Sequence, residues 1–113
     1  MNQYRFNAYR IMWIFVMFDL PVGTEKERKA ATDFRKRLLK DGFEMHQFSI
    51  YTRCCPSMEY AETHIRNVRE IVPASGMVSI ATITDKQFSQ IRNFYGKVEK
   101  KNPASEFLQL EMF

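Results

Sequence analysis

The sequence predicts an α+β domain, and three observations point to this class. Residues 11–18 are eight consecutive apolar residues of mostly β-branched and aromatic types, which is typical of a strand buried on both faces. Two later segments, 24–40 and 58–72, carry apolar residues at helical spacing, and strand-like segments separate and follow them. A chain of 113 residues is expected to form one domain over 11–113, preceded by a basic arm at 1–10.

The first helix is expected over residues 24–40. Thr24 can cap it, and the acids that follow Thr24 interact favourably with the positive end of the helix dipole. Gly42 suits the left-handed position that ends a helix. Residues 43–53 are strand-like, but strands usually have about five or six residues, so we expect a bend or two strands around 47–48.

A second helix is expected at 58–72, with Ser57 as its cap and Pro73 at its end. Residues 77–83 have the composition of another strand. Thr84 begins a Thr-x-x-Gln capping box, which predicts a short third helix.

These elements follow the order βαββαβ, which is the ferredoxin-like pattern, with an additional strand at the C-terminal end. Residues 92–106 are expected to form a loop or weak strand, and residues 107–113 the last strand. A free apolar strand at a terminus needs a pairing partner. We therefore expect a homodimer whose interface includes the strand at 77–83, with residues 97–113 serving dimerisation or partner binding.

The net charge of +4 and a pI near 9.2 favour a polyanionic partner. Neither a signal peptide nor a membrane span is recognised, and Cys54 and Cys55 are too few for a disulfide framework or a Cys-rich zinc site, so a cytoplasmic protein is expected. The sequence contains no Gly-rich phosphate loop, no G-x-S-x-G elbow, no H-E-x-x-H motif and no aromatic RNP1 pattern. The enzyme and RNA-binding classes marked by those motifs are therefore disfavoured.

Asp19 is a candidate functional residue, because a carboxylate at the end of a buried strand has a rigid support. The alternative is that Asp19 only begins the Pro-containing turn that follows. Lys26, Arg28 and Lys29 of the first helix are candidates for nucleic-acid binding, and the alternative is an ordinary solvated helix face. His46 is a candidate general base by residue type alone, against the interpretation that it is a structural histidine.

Several motifs resemble the CRISPR-associated "Cas two" family, and they come in order at matching intervals. They are an apolar strand ending in Phe18-Asp19-Leu20-Pro21, then Glu27-Arg28-Lys29, Phe34-Arg35-Lys36-Arg37-Leu38-Leu39, Asp41-Gly42-Phe43 and Met45-His46-Gln47-Phe48-Ser49-Ile50-Tyr51. The Phe-Asp-Leu-Pro and Met-His-Gln-Phe-Ser forms are similar to the type II branch. The resemblance covers about residues 11–113, and residues 1–10 look like an addition.

This resemblance implies a ferredoxin-like homodimer that bridges two dimers of the "Cas one" integrase and binds duplex protospacer DNA during spacer acquisition. It also implies an endonuclease that acts on RNA or DNA and depends on Mg²⁺ or Mn²⁺. The family's strand-end aspartate corresponds to Asp19, and its serine in the second strand region corresponds to Ser49.

A single carboxylate is a poor magnesium site, because the ion usually takes one or two carboxylates together with waters or phosphate oxygens. Two copies of Asp19 across a dimer axis would share one ion, which would offset their mutual repulsion. The enzyme interpretation rests on this pair. The adaptor interpretation, which we favour for the physiological role, rests on the basic surface. A third interpretation is a toxin-like ribonuclease of the virulence-associated protein D type, and an adjacent CRISPR array would decide against it.

Overall fold

The computed structural model describes residues 10–100. Its main sheet contains β1 (Met12–Asp19), β2 (Glu44–Gln47), β3 (Ile50–Cys55) and β4 (Met77–Thr84), all antiparallel and in the order β2-β3-β1-β4. Helix α1 (Glu25–Lys40) joins β1 to β2, and α2 (Met58–Ile71) joins β3 to β4. A short α3 (Asp85–Ser89) and the strands β5 (Asn93–Tyr95) and β6 (Val98–Lys100) follow. The α+β class and the ferredoxin-like order are confirmed.

The central strand β1 buries one face against the helices. Ile14, Val16 and Phe18 are buried and belong to one cluster with residues of α1 and α2. Phe34 of α1 meets Phe18 edge to face, with ring centroids 5.1 Å apart. Each such side chain contributes about 1.5–3 kcal/mol to stability when it is fully buried. This face of β1 therefore forms the centre of the hydrophobic core.

The opposite face of β1 is only partly covered, so the prediction of a strand buried on both faces is wrong for this face. Trp13, Phe15 and Met17 alternate with the core residues and are neither fully buried nor fully exposed. Phe88 of α3 stacks on Trp13 with ring centroids 3.8 Å apart. Because α3 is short and lies near the start of β1, the described elements leave the face beyond Phe15 open. We call this surface the open face.

The ends of α1 are formed as predicted. The hydroxyl of Thr24 accepts a hydrogen bond from the Glu27 backbone N–H at 3.1 Å, and the Glu27 carboxylate accepts one from the Thr24 N–H at 3.0 Å. After the C-terminal cap, Gly42 has φ +92°, and a β-carbon there would lie 3.0 Å from the Arg53 guanidinium. Local capping signals therefore decide where this helix begins and ends.

The bend expected around 47–48 is confirmed. The pairing of β2 with β3 is irregular between Met45 and Gln47, and residues 48–49 form the turn between the two strands. The second helix has the predicted cap, because the Ser57 hydroxyl accepts a hydrogen bond from the Tyr60 N–H. This helix ends at Ile71, just before the predicted end, because the next residue has extended backbone.

The expectation of a loop or weak strand at 92–106 is confirmed in part where the structure describes it, because two short strands form there. β5 and β6 form a hairpin around Gly96, whose φ of +68° suits a tight turn. Arg92 and Glu99 hold the two strands together by two hydrogen bonds of 2.7 and 3.0 Å. The predicted strand at 107–113 and all but the last residue of the arm at 1–10 lie outside the described residues. No helix within 10–100 is long and apolar enough to span a membrane.

Candidate functional site

Asp19 is the last residue of β1, and its side chain is exposed. It pairs with Met77 of β4, which is 67% exposed. Because Phe18 points into the core, the alternation of the strand directs the Asp19 side chain to the open face. Asp19 therefore lies at the edge of an apolar surface that the elements within residues 10–100 leave uncovered.

Ser49 comes close to Asp19 because of the register between β1 and β3. The Phe18 N–H donates a hydrogen bond to the Ser49 carbonyl at 3.0 Å, which carries the pairing one step past the start of β3. Ser49 and Asp19 consequently line one shallow cleft of about 310 Å³. The other residues that line this cleft are Met17, Phe18, Ile50, Met77 and Ser79. The cleft thus combines one carboxylate with two serine residues on an apolar floor.

The donors of this cleft match a magnesium ion in kind but not in number. Carboxylate and hydroxyl oxygens are hard ligands of the type that Mg²⁺ takes, and the ion tolerates waters or phosphate oxygens in its other positions. One chain, however, supplies a single carboxylate here. Across residues 10–100 there is no group of three or more His, Cys, Asp or Glu side chains that could hold a metal ion. A metal ion at Asp19 would therefore take its other ligands from water, from phosphate oxygens or from a second copy of the chain.

Neither histidine lies beside Asp19. The ring of His46 packs near Phe15 and Phe88, with centroids 5.9 and 6.2 Å away. His64 is hydrogen-bonded through Nδ1 to the Asp41 carboxylate at 2.9 Å, which links α2 to the end of α1. The geometry therefore favours the structural interpretation of His46 and gives no support to a general base at that residue.

The predicted basic residues lie on the outer side of the first turns of α1. Lys26, Arg28 and Lys29 are all exposed, and the Arg28 guanidinium donates a hydrogen bond to the Val22 carbonyl at 3.0 Å. This contact ties Arg28 to the turn that follows Asp19. Together with Lys36 these residues line a shallow hollow in which four cations face two acids, Glu25 and Asp33. Because α1 covers the core face of β1, this hollow and the open face lie on opposite sides of the sheet.

The two adjacent cysteines are unsuited to nucleophilic catalysis. Burial and the nearby Asp85 carboxylate raise the pKa of Cys54 to about 11, so its thiol stays protonated at neutral pH. Burial also raises the pKa of Cys55. Both cysteines are free thiols.

The structure shows one buried carboxylate that sequence reasoning did not single out. Asp85 is completely buried, and its Oδ1 accepts a hydrogen bond of 2.6 Å from the Trp13 indole N–H. Its Oδ2 has no partner among the described residues, and burial raises the pKa of the carboxyl. The position of Asp85 after the capping Thr84 gave no sign of burial, because first-turn acids are usually solvated. Trp13 lies at the opposite end of β1 from Asp19, so Asp85 is not part of the cleft.

Comparison with known proteins identifies relatives over most of the chain. The family model described as CRISPR associated protein Cas2 matches residues 12–91. A relative named CRISPR-associated endoribonuclease Cas2 from Flavobacterium psychrophilum is 52% identical over 111 residues, which cover 96% of this chain and 94% of the relative. The protein of the same name from Parvibaculum lavamentivorans is 48% identical over 90% of this chain and all of its own length. The one from Paracidovorax avenae is 49% identical over 88% of this chain and 90% of its own.

Proposed function

Because this chain belongs to the CRISPR associated protein Cas2 family, we propose that it is a homodimeric endoribonuclease in which two copies of Asp19 hold one divalent metal ion. The observation that carries the proposal is the exposed Asp19 carboxylate, which ends a strand at the edge of an apolar face that residues 10–100 leave uncovered. The names of the relatives support the reaction, since each is called an endoribonuclease.

The dimer is proposed to form through the free edge of β4 and the open face beside it. β4 is an edge strand of the main sheet, and exposed strand edges tend to pair with another chain. Apolar side chains are exposed next to this edge at Met77, and also on the β5–β6 hairpin at Phe94, Tyr95 and Val98. A second copy would remove these groups from water and would bring a second Asp19 towards the first.

In the proposed reaction the two Asp19 carboxylates would hold the ion, and a bound Mg²⁺ or Mn²⁺ would make a water more acidic and offset charge on the phosphodiester. Ser49 and Ser79 line the same cleft. Ser79 is paired with Met17 and so lies on the open face, where its hydroxyl can donate a hydrogen bond to a phosphate oxygen. No histidine or lysine lies among the described residues that line this cleft.

A second role is favoured by the basic surface of α1. Lys26, Arg28, Lys29 and Lys36 face outward on the side of the sheet away from Asp19, so the surface stays free when the open face is covered. We propose that this surface holds duplex DNA while the dimer bridges two "Cas one" integrase dimers in spacer acquisition. Phosphate contacts of this kind do not depend on sequence. The family match favours this role over a toxin-like ribonuclease.

The enzyme proposal is tested by Asp19→Asn, which keeps the size of the side chain and removes its charge. We expect the parent protein to cleave a labelled single-stranded RNA when Mg²⁺ or Mn²⁺ is present and to stop when chelator is added. The variant should not cleave this RNA. Asp33→Asn on α1 is the matched control, because Asp33 is also an exposed acid and should leave cleavage unchanged. Both variants should remain dimers by light scattering. Cleavage at the parent rate by Asp19→Asn would contradict the proposal.

A further inference from the structure

Phe48 is a large aromatic side chain that the structure leaves in solvent. It lies in the two-residue turn between β2 and β3 and is 70% exposed. The guanidinium of Arg35 lies over its ring, 4.4 Å from the centroid. An exposed phenylalanine costs free energy in water, and a cation over the ring stabilises its position by only about 0.5–1 kcal/mol at an exposed site. The ring is thus held in place while most of its surface is free.

The Arg35 side chain packs against the core but has no polar partner in the part of the chain that the structure describes. Its guanidinium also lies 5.4 Å from the ring centroid of Phe18 in the core, so it is placed between two aromatic rings. Its Nε is buried without a hydrogen bond. A guanidinium is a planar cation that stacks on flat rings and attracts anions. Arg35 therefore places positive charge against the Phe48 ring that no carboxylate within residues 10–100 neutralises.

The position of this pair relates it to the candidate cleft. Ser49, which lines the cleft with Asp19, is the residue directly after Phe48. The Arg35 side chain reaches Phe18 from the helix side, whereas Asp19 points to the open face. A dimer formed through the open face would therefore leave Phe48 accessible, one residue from the cleft.

We propose that Phe48, supported by Arg35, is a stacking site for an unpaired nucleobase of a single strand that runs into the Asp19 cleft. This inference rests on the proposed function only in stating that the bound single strand runs into the Asp19 cleft. An aromatic ring with an open face binds any base by stacking, and an unneutralised cation under it favours a polyanion over an apolar protein segment. A base inside a duplex has no free face to offer, so the site selects single strands.

The test measures binding of a fluorescein-labelled ten-residue oligouridylate, and of its DNA counterpart, to the full chain in chelator, so that cleavage plays no part. Phe48→Leu keeps an apolar side chain but removes the flat ring. We expect its affinity for both single strands to fall roughly five- to a hundredfold. The slope of affinity against salt should stay unchanged, because no charge is lost. Phe48→Trp should bind at least as well as the parent protein.

Tyr60→Leu is the matched control. Tyr60 is also partly exposed and has the Arg53 guanidinium 5.3 Å from its ring centroid, but His64 lies against the same ring and Arg53 already donates hydrogen bonds to backbone carbonyls. Its affinity for single strands should equal that of the parent protein.

Duplex DNA should bind Phe48→Leu as tightly as the parent protein. An equal loss for duplex and single strand, an equal loss in Tyr60→Leu, or no effect of Phe48→Leu would each overturn the stacking site. This experiment measures binding and not cleavage, so it does not depend on the enzyme proposal. If Asp19→Asn still cleaved RNA, that outcome would count against the enzyme proposal alone and would leave the stacking site unaffected.

Discussion

The backbone of Gly76 passes so close to Asp19 that a β-carbon on Gly76 would lie 2.8 Å from the Asp19 carbonyl oxygen. The same β-carbon would approach the Leu20 side chain at 2.9 Å and the Pro21 ring at 3.0 Å. Gly76 also has φ +95°, a conformation that favours glycine. The turn after β1 and the start of β4 are therefore fitted together at the point where Asp19 leaves the sheet.

Gly76→Ala should weaken both the fold and the proposed cleavage, because the Asp19 backbone must move to admit a methyl group. We expect a loss of about 1–3 kcal/mol in the free energy of unfolding, measured with urea. Gly96→Ala is the control, since Gly96 also has positive φ but its β-carbon would meet no atom within 4 Å. Its loss should be smaller, and its cleavage rate should equal that of the parent protein. Equal losses in the two variants would show that the contact with Asp19 is unimportant.

Replacing both Arg28 and Lys29 with Glu should weaken the binding of duplex DNA. Duplexes of unrelated sequence should lose affinity to the same extent. The two residues are exposed on the basic hollow of α1, and each lost phosphate contact lowers the slope of log affinity against log salt by about 0.9. The same reversal at Arg66 and Arg69 of α2 provides the comparison. If only the α2 variant changes the slope, the DNA-binding surface lies there instead.

Asp85→Asn should change how stability depends on pH. Burial raises the pKa of Asp85 in the folded state, so the folded protein binds this proton more tightly than the unfolded chain does. Stability from this group is present below the unfolded pKa of about 4 and is lost as pH rises through the folded pKa. Urea unfolding should therefore show that, between pH 4 and pH 8, the parent protein loses stability relative to Asp85→Asn.

Asp33→Asn, at an exposed position, provides the control for this experiment. A constant difference between the parent protein and Asp85→Asn at the two pH values would mean that the buried carboxyl does not titrate between them.

Spacer integration with the "Cas one" integrase should survive Asp19→Ala. In the proposed adaptor role, bridging would depend on the shape of the dimer and on its basic surface, and Asp19 lies at a strand end outside the hydrophobic core. The integration assay and the RNA cleavage assay should use one preparation of the variant. Loss of integration in a variant that still dimerises and binds duplex DNA would place Asp19 in the spacer pathway and would exclude a purely structural adaptor.

The sequence by itself determined the elements whose signals are local. Thr24 and Gly42 delimit α1 through hydrogen bonds and backbone angles that involve only nearby residues, and the cap at Ser57 works in the same way. The order of strands and helices followed from these boundaries together with apolar spacing. For the same reason Asp19 could be selected in advance, since a carboxylate directly after an apolar strand is visible without any tertiary contact.

Only the tertiary structure decided which groups meet. An apolar run does not reveal whether a strand is covered by its own helices or left for another chain, and so the open face of β1 was not foreseen. Three-residue strands with exposed side chains carry too little periodicity to be recognised, which concealed the β5–β6 hairpin. The nearness of Ser49 to Asp19 depends on the β1–β3 register, and the contact of Arg35 with Phe48 depends on the packing of α1 beside the β2–β3 turn. These contacts join residues far apart in the chain, so their free energies depend on the packing of the whole domain rather than on any local pattern.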